Sequence, residues 1–126
     1  MKVFIVEDSE IVRKHLQSML SDIPGVEFVG YAEDELGAIA RINELRPDVV
    51  TLDLSLQPGS GIAVLEDIKK NHATTKVIVL TNYTDDFYVN RCKQAGADCF
   101  FDKTFQLSRV RPALWSWIHT GCTKAA

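Results

Sequence analysis

Lys and Arg form no cluster anywhere in this chain, and they number 14 against 17 Asp and Glu, for a formal net charge of −3. A surface of that kind offers nothing to a phosphodiester backbone, so nucleic-acid binding by this chain alone is excluded from its expected functions. Long apolar runs are also missing. None approaches the roughly 20 residues needed to cross a bilayer. The opening Met1-Lys2-Val3-Phe4-Ile5-Val6 is too short in its apolar part to be a signal peptide, and acidic Glu7-Asp8 follows at once. Cysteine is scarce. Cys92, Cys99 and Cys122 are odd in number and lack metal-ligand spacing, so Cys92 and Cys99 read as core fillers in a reducing compartment. His15, His72 and His119 are scattered, which leaves neither a zinc site nor a Ser/His/Asp triad. A cytoplasmic location with no membrane partner is expected.

What is present is an ordinary globular balance, 46% apolar and 25% charged over 126 residues, enough for one domain. Apolar runs alternate with amphipathic stretches from end to end, without internal repeat or low complexity. Strands are predicted at 2–6, 26–32, 49–53, 77–81 and 98–102, three of them nearly continuous apolar runs, as in a parallel sheet covered on both faces. Between them run helical stripes: Ile11, Val12, Leu16, Met19 and Leu20; Leu36, Ile39, Ile42 and Leu45; Ile62, Leu65 and Ile68; Tyr88, Cys92 and Ala95; Leu107, Val110, Leu114 and Trp117. Pro24-Gly25, Arg46-Pro47 and Pro58-Gly59 mark loops. Ser9 and Asp34 suit N-caps, Asp85 and Asp86 suit the positive end of the fourth helix, and Gly96 suits its left-handed end. Trp115 and Trp117 lie two apart on the last helix and so face different sides, one of them toward a partner or solvent. Five strand–helix units with right-handed crossovers give an α/β, doubly wound, open parallel sheet.

In such sheets ligands bind where the strands end. Four runs end there in polar residues: Glu7-Asp8, Asp53, Thr81 and Lys103. Taken singly, the acidic pair would be a solvated loop, Asp53 a helix cap, Thr81 a turn former and Lys103 a surface cation. One site accounts for all of them at once. Three carboxylates suit a hard cation such as Mg²⁺ or Mn²⁺, which cancels the repulsion that an anionic phosphoryl group meets. Asp53 is placed to ligate and to attack phosphorus. Lys103 and Thr81 are placed to hold the phosphoryl oxygens.

At Val6-Glu7-Asp8, Arg46-Pro47-Asp48-Val49-Val50-Thr51-Leu52-Asp53-Leu54, Gly59-Ser60-Gly61, Val79-Leu80-Thr81, Ala95-Gly96-Ala97-Asp98 and Phe101-Asp102-Lys103 the chain resembles the receiver domain of bacterial two-component response regulators. The resemblance runs from residue 1 to about 119 and leaves a short tail, 120–126, with no output domain. It implies a flavodoxin-like, five-stranded parallel sheet in the order 2-1-3-4-5 with five helices. It implies Asp53 as phosphoacceptor, with Mg²⁺ (or Mn²⁺) held by Glu7, Asp8, Asp53 and the backbone carbonyl of Ser55. Thr81 and Lys103 would bind the phosphoryl group, and Thr81 and Phe100 would act as the switch. The implied partners are a histidine kinase or histidine phosphotransfer protein as donor, and a downstream protein or a missing C-terminal output domain. The stretch Arg46 to Gly61 resembles receivers joined to helix-turn-helix output domains. The fourth helix, fifth strand and fifth helix would carry the signal, and the fourth and fifth helices are the expected homodimer face.

Four departures from the family pattern bear on kinetics. Pro58 stands one place after the usual proline position, Gln57. Asn82 replaces a small residue after Thr81, and Tyr83 follows it; with Ser55 they are expected to tune access to the phosphoryl group and slow its loss. Thr104 follows Lys103 where proline is usual, so a trans bond is expected, a cis bond there costing roughly 3 kcal/mol. Two other classes fare worse. A phosphohydrolase with an aspartate nucleophile would carry a second aspartate where Ser55 stands. A phosphate-binding flavodoxin-like module would want hydroxyls in place of Glu7-Asp8-Ser9-Glu10, which repels anions. A receiver-like scaffold that is never phosphorylated remains the fourth reading.

Overall fold

A computed structural model describes residues 1–56 and 59–120. The loop around Gln57 and Pro58 and the tail from residue 121, with Cys122, lie outside the described residues. Five strands, β1 (Lys2–Val6), β2 (Glu27–Ala32), β3 (Val49–Leu52), β4 (Lys76–Thr81) and β5 (Cys99–Asp102), alternate with helices α1 (Glu10–Ser21), α2 (Glu35–Leu45), α3 (Gly61–Asn71), α4 (Asp86–Gln94) and α5 (Val110–Thr120). All pairings are parallel and the order is β2-β1-β3-β4-β5, as the resemblance implied.

Strand alternation sorts the sheet's side chains into two cores. Phe4, Val6, Val50, Leu52, Val77 and Val79 face α2, α3 and α4, where Ala38, Ile42, Val64, Leu65, Ile68 and Cys92 meet them. Val3, Ile5, Val49, Ile78 and Leu80 face Leu16 and Leu20 of α1 and Val110 and Leu114 of α5. β1, β3 and β4 are central and sealed on both faces, so their apolar runs are almost unbroken. Each fully buried Leu, Ile or Phe contributes about 1.5–3 kcal/mol.

Helix stripes are partly as read and partly shifted. Ile11 and Leu36 are 83% and 78% exposed. Each lies toward the far side of its helix from the buried line, which runs through Arg13, Leu16 and Leu20 in α1 and Ala38 and Ile42 in α2. The last helix starts later than its stripe, because Leu107–Arg109 form a 3₁₀ turn ahead of it. Trp117 is half-buried against the α1/α5 core, and Trp115 is exposed, stacked on His119 at 3.6 Å between ring centres.

The caps follow the sequence. Ser9 Oγ accepts from Val12 N, Asp34 Oδ1 from Gly37 N and Asp85 Oδ1 from Tyr88 N. At the end of α4, Gly96 (φ 98°) donates to Lys93 O while Ala97 N donates to Cys92 O, a Schellman pair that only a left-handed residue permits at low cost. The chain then turns back and Asp98 closes the far edge. Its Oδ2 accepts from Val77 N and from Lys69 Nζ, both at 2.8 Å.

Gly61 is required for a different reason. It donates its N–H to Leu54 O, and a Cβ there would overlap the carbonyl of Asp53 and lie 2.5 Å from Leu54 Cα. Backbone cannot yield as a flexible side chain does. Gly61→Ala is therefore expected to destabilise the fold by about 2–4 kcal/mol in urea unfolding, in line with overpacking against fixed backbone.

Candidate active site

Three of the polar residues at the sheet's carboxyl edge are held by a backbone bond to the neighbouring strand. Glu7 N donates to Ala32 O (3.0 Å), Asp53 N to Val6 O (3.0 Å) and Lys103 N to Thr81 O (2.9 Å). The ladder thus continues one residue past each strand end. β3 stops at Leu52, so Asp53 is the first residue of the loop and not the last of the strand. Freed from alternation, the carboxylates turn to one point. Glu7, Asp8 and Asp53 each offer an oxygen, and these lie within 4.8 Å of one another. Glu7 and Asp53 are buried and Asp8 is exposed.

Lys103 reaches into this group from β5. Its Nζ donates to Asp53 Oδ2 at 3.0 Å and to Glu7 Oε1 and Oε2 at 3.1 and 3.3 Å. Burial works against the lysine's charge, but the bond and charge of Asp53, and then those of Glu7, hold its pKa above the ordinary value. Glu7 moves the other way. Burial first, and the charge of Asp53 second, push its carboxyl from an ordinary 4.5 up to about 7, against the pull of Ser9 N and Lys103. One ammonium does not fully compensate two desolvated carboxylates. The donor set is hard, oxygen-only and anionic, the chemistry of a Mg²⁺ or Mn²⁺ site rather than of zinc.

The site opens into a cleft of about 230 Å³ lined by Asp8, Asp53, Ser55, Asn82, Tyr83 and Lys103. Ser55 N donates to Asp53 Oδ1 at 3.1 Å and fixes the carboxylate's rotation. Thr81 is fully buried beside the cleft and is not on its wall. Its Oγ1 accepts from Tyr83 N at 3.0 Å, which leaves its own proton free to be donated elsewhere. Asn82 Oδ1 accepts from Thr104 Oγ1, tying the loops after β4 and β5 across the rim. Phe100 is half-buried, packs on the α2–α4 side, and lines a second cavity of about 450 Å³ with Thr84, Val89, Asp102, Phe105 and Gln106.

Two supporting residues escaped the sequence reading. Arg13 is buried on the inner face of α1. Its Nη1 donates to the backbone oxygen of Glu7 (3.2 Å), pairs with Glu33 (3.6 Å), and its guanidinium stands 4.2 Å over the Tyr31 ring. The available signal was an arginine three residues before Leu16, in the apolar stripe. Asp102 is the second. Its Oδ1 accepts from Thr104 N and Phe105 N, and this turn aims Lys103 inward without a proline. An aspartate two residues before the threonine was the cue.

A family model described as the response regulator receiver domain matches residues 3–114. The response regulator protein VraR of Staphylococcus saprophyticus is 34% identical over 113 residues, taking in 90% of this chain and 54% of that protein. The chain thus spans about half the length of the curated relatives it matches. Among solved structures, the response regulator domain of Thermotoga maritima CheB aligns over 100% of this chain and 98% of its own, at 28% identity and a TM-score of 0.85. A CheX–CheY–BeF3–Mg complex from Borrelia burgdorferi aligns over 94% and 89%, at 25% identity and a TM-score of 0.85.

The raised pKa of Glu7 fixes the sign of a pH effect. A carboxyl that binds its proton more tightly when folded stabilises the fold fully below its unfolded pKa near 4.5, and loses that contribution as pH rises to about 7. In chelator-containing buffer, Glu7→Gln should therefore gain about 1–3 kcal/mol over the parent chain between pH 4.5 and pH 8, read by urea unfolding at both. A constant difference would contradict the assignment.

Proposed function

This chain belongs to the response regulator receiver domain family, and from that premise we propose that it is a phosphorylation-controlled switch whose acceptor is Asp53. The observation that carries the reading is the ammonium of Lys103 bonded at once to Asp53 and Glu7, with three carboxylate oxygens gathered within 4.8 Å. Receiver function occupies residues 1–119 in this reading. Glu7, Asp8 and Asp53 hold Mg²⁺ or Mn²⁺, with the Ser55 carbonyl as a further ligand. When bound, that cation neutralises charge on the incoming phosphoryl oxygens.

The protein's own groups do the rest. A carboxylate oxygen of Asp53, set by Ser55 N, attacks phosphorus. The P–N bond to the donor histidine breaks and its electron pair returns to the imidazole. Lys103, freed from part of its carboxylate load, follows the charge onto the phosphoryl oxygens. Thr81 has a proton to donate and moves toward the same oxygens, and Phe100 turns into the space behind it. The surface of α4, β5 and α5 changes with them, so a partner that prefers the new surface shifts the equilibrium.

The donor in this reading is a phosphohistidine on a sensor kinase or phosphotransfer protein, and the setting is the cytoplasm. The receiver of the signal is a downstream protein or an output domain, in keeping with relatives about twice this length. A homodimer would use α4 and α5. No turnover is proposed beyond phosphoryl uptake and slow hydrolysis, with Asn82 and Tyr83 limiting access of water.

Incubation with acetyl phosphate and Mg²⁺ should add one phosphoryl group by intact mass. The gain should disappear in Asp53→Asn and form about 100-fold more slowly in Lys103→Ala, the usual effect of losing one charge-stabilising donor. No gain in the parent chain would sink the proposal and favour the scaffold reading.

A further inference from the structure

Tyr83, on the wall of the cleft, is suspended from two points. Its backbone N–H donates to Thr81 Oγ1 at 3.0 Å, and its ring stacks on Tyr88, with 5.1 Å between centres and 23° between planes. Tyr88 is itself well anchored. Its N–H donates to the Asp85 cap on the first turn of α4, its ring packs against the α2–α4 core, and Phe87 meets it edge-on at 5.1 Å. Tyr83 has no such anchorage of its own. It is 45% exposed, in a loop, where a free aromatic ring would exchange rotamers quickly.

We infer that Tyr88 is a positioning residue for the cleft, holding the Tyr83 ring across its mouth so that water reaches Asp53 slowly. The inference rests on the reading of Asp53 as phosphoacceptor and adds the element that sets the lifetime of its phosphate. The step concerned is hydrolysis. A water oxygen bonds to phosphorus, the bond from phosphorus to the Asp53 oxygen breaks, and that electron pair returns to the carboxylate. Inorganic phosphate leaves, and the proton released goes to solvent. Tyr88 touches none of these atoms and acts only through Tyr83.

The two tethers also differ in kind. The bond to Thr81 must give way if Thr81 is drawn to the phosphoryl group, because Tyr83 then loses its acceptor. Stacking on Tyr88 does not depend on Thr81 and persists through that change. It keeps the shield in place when it is needed, on the phosphorylated form. It also joins the cleft to the N-terminal turn of α4, independently of Phe100, which stands opposite Val79 on β5.

Half-lives of the phosphorylated chain decide the matter. The parent, Tyr83→Ala, Tyr88→Leu, Tyr88→Phe and the double variant would be loaded with acetyl phosphate and Mg²⁺, desalted, and followed by intact mass. Leucine at 88 keeps the apolar contact with the core and removes the stacked ring. Tyr88→Leu should shorten the half-life about fivefold, the rate equivalent of one aromatic pair. Tyr83→Ala should do the same, the double variant should be no faster than Tyr83→Ala, and Tyr88→Phe should match the parent. A residue that merely stabilised α4 would not produce this pattern. An unchanged half-life in Tyr88→Leu, or additive effects in the double variant, overturns the inference while the Asp53 reading stands. No uptake by the parent overturns both.

Discussion

Glu7 and Asp53 are carboxylates buried side by side at the edge of an apolar sheet, and one ammonium, Lys103 Nζ, lies within 3.3 Å of both. Like charges at this separation repel strongly when little water screens them. The arrangement therefore needs a cation, and the protein supplies one from 96 residues away in sequence. The lysine can come so far only because β1, β3, β4 and β5 lie side by side in one sheet. Its turn must also be fixed by Asp102 and its backbone by Thr81 O. Electrostatic need at the edge and hydrophobic need in the two cores are met by the same parallel stacking.

Around that centre the supporting bonds come from loops. Ser9 N and Arg13 hold the two ends of Glu7, side chain and carbonyl. Ser55 N sets Asp53, and Gly61 lets the chain pass close behind it. Asn82 and Thr104 tie two loops across the rim. Strands set where each functional residue leaves the sheet, and short polar side chains set the direction it then takes. Raised energy is concentrated in Glu7, whose carboxyl is lifted to about 7 by burial and by Asp53. A bound divalent cation reverses that shift, since it is the larger local charge. The repulsion left between these carboxylates is what a divalent cation at this edge would relieve.

The strands were readable because Val3–Val6, Val49–Leu52 and Val77–Leu80 are nearly continuous apolar runs, as a sheet covered on both faces requires, whereas their order came from the family resemblance. The acidic pair, Asp53 and Thr81 drew attention because each follows such a run directly, and Lys103 because it closes the last strand candidate just after Asp102. Ile11 and Leu36 misled, since a stripe of apolar residues does not say which member lies at its exposed margin. Arg13 and Asp102 were overlooked for the opposite reason. A charged residue in a stripe or at a strand end reads as solvated until the groups it serves are in place. Phe100 was singled out through the family resemblance, and the cavity beside it, to which Phe105, Gln106 and Thr84 contribute from loops, is a tertiary feature.

By itself the sequence determined the identity of the polar groups at the sheet edge, the period of each element and hence the layered sheet, because side-chain chemistry and hydrophobic alternation are local properties. Tertiary structure alone decided that Lys103 meets both buried carboxylates, that Thr81 sits beside the cleft with its hydroxyl engaged by Tyr83, and that Tyr83 rests on Tyr88. Those are distances and angles between residues far apart or across a turn. They are fixed by the packing of all five helices together, which no local pattern encodes.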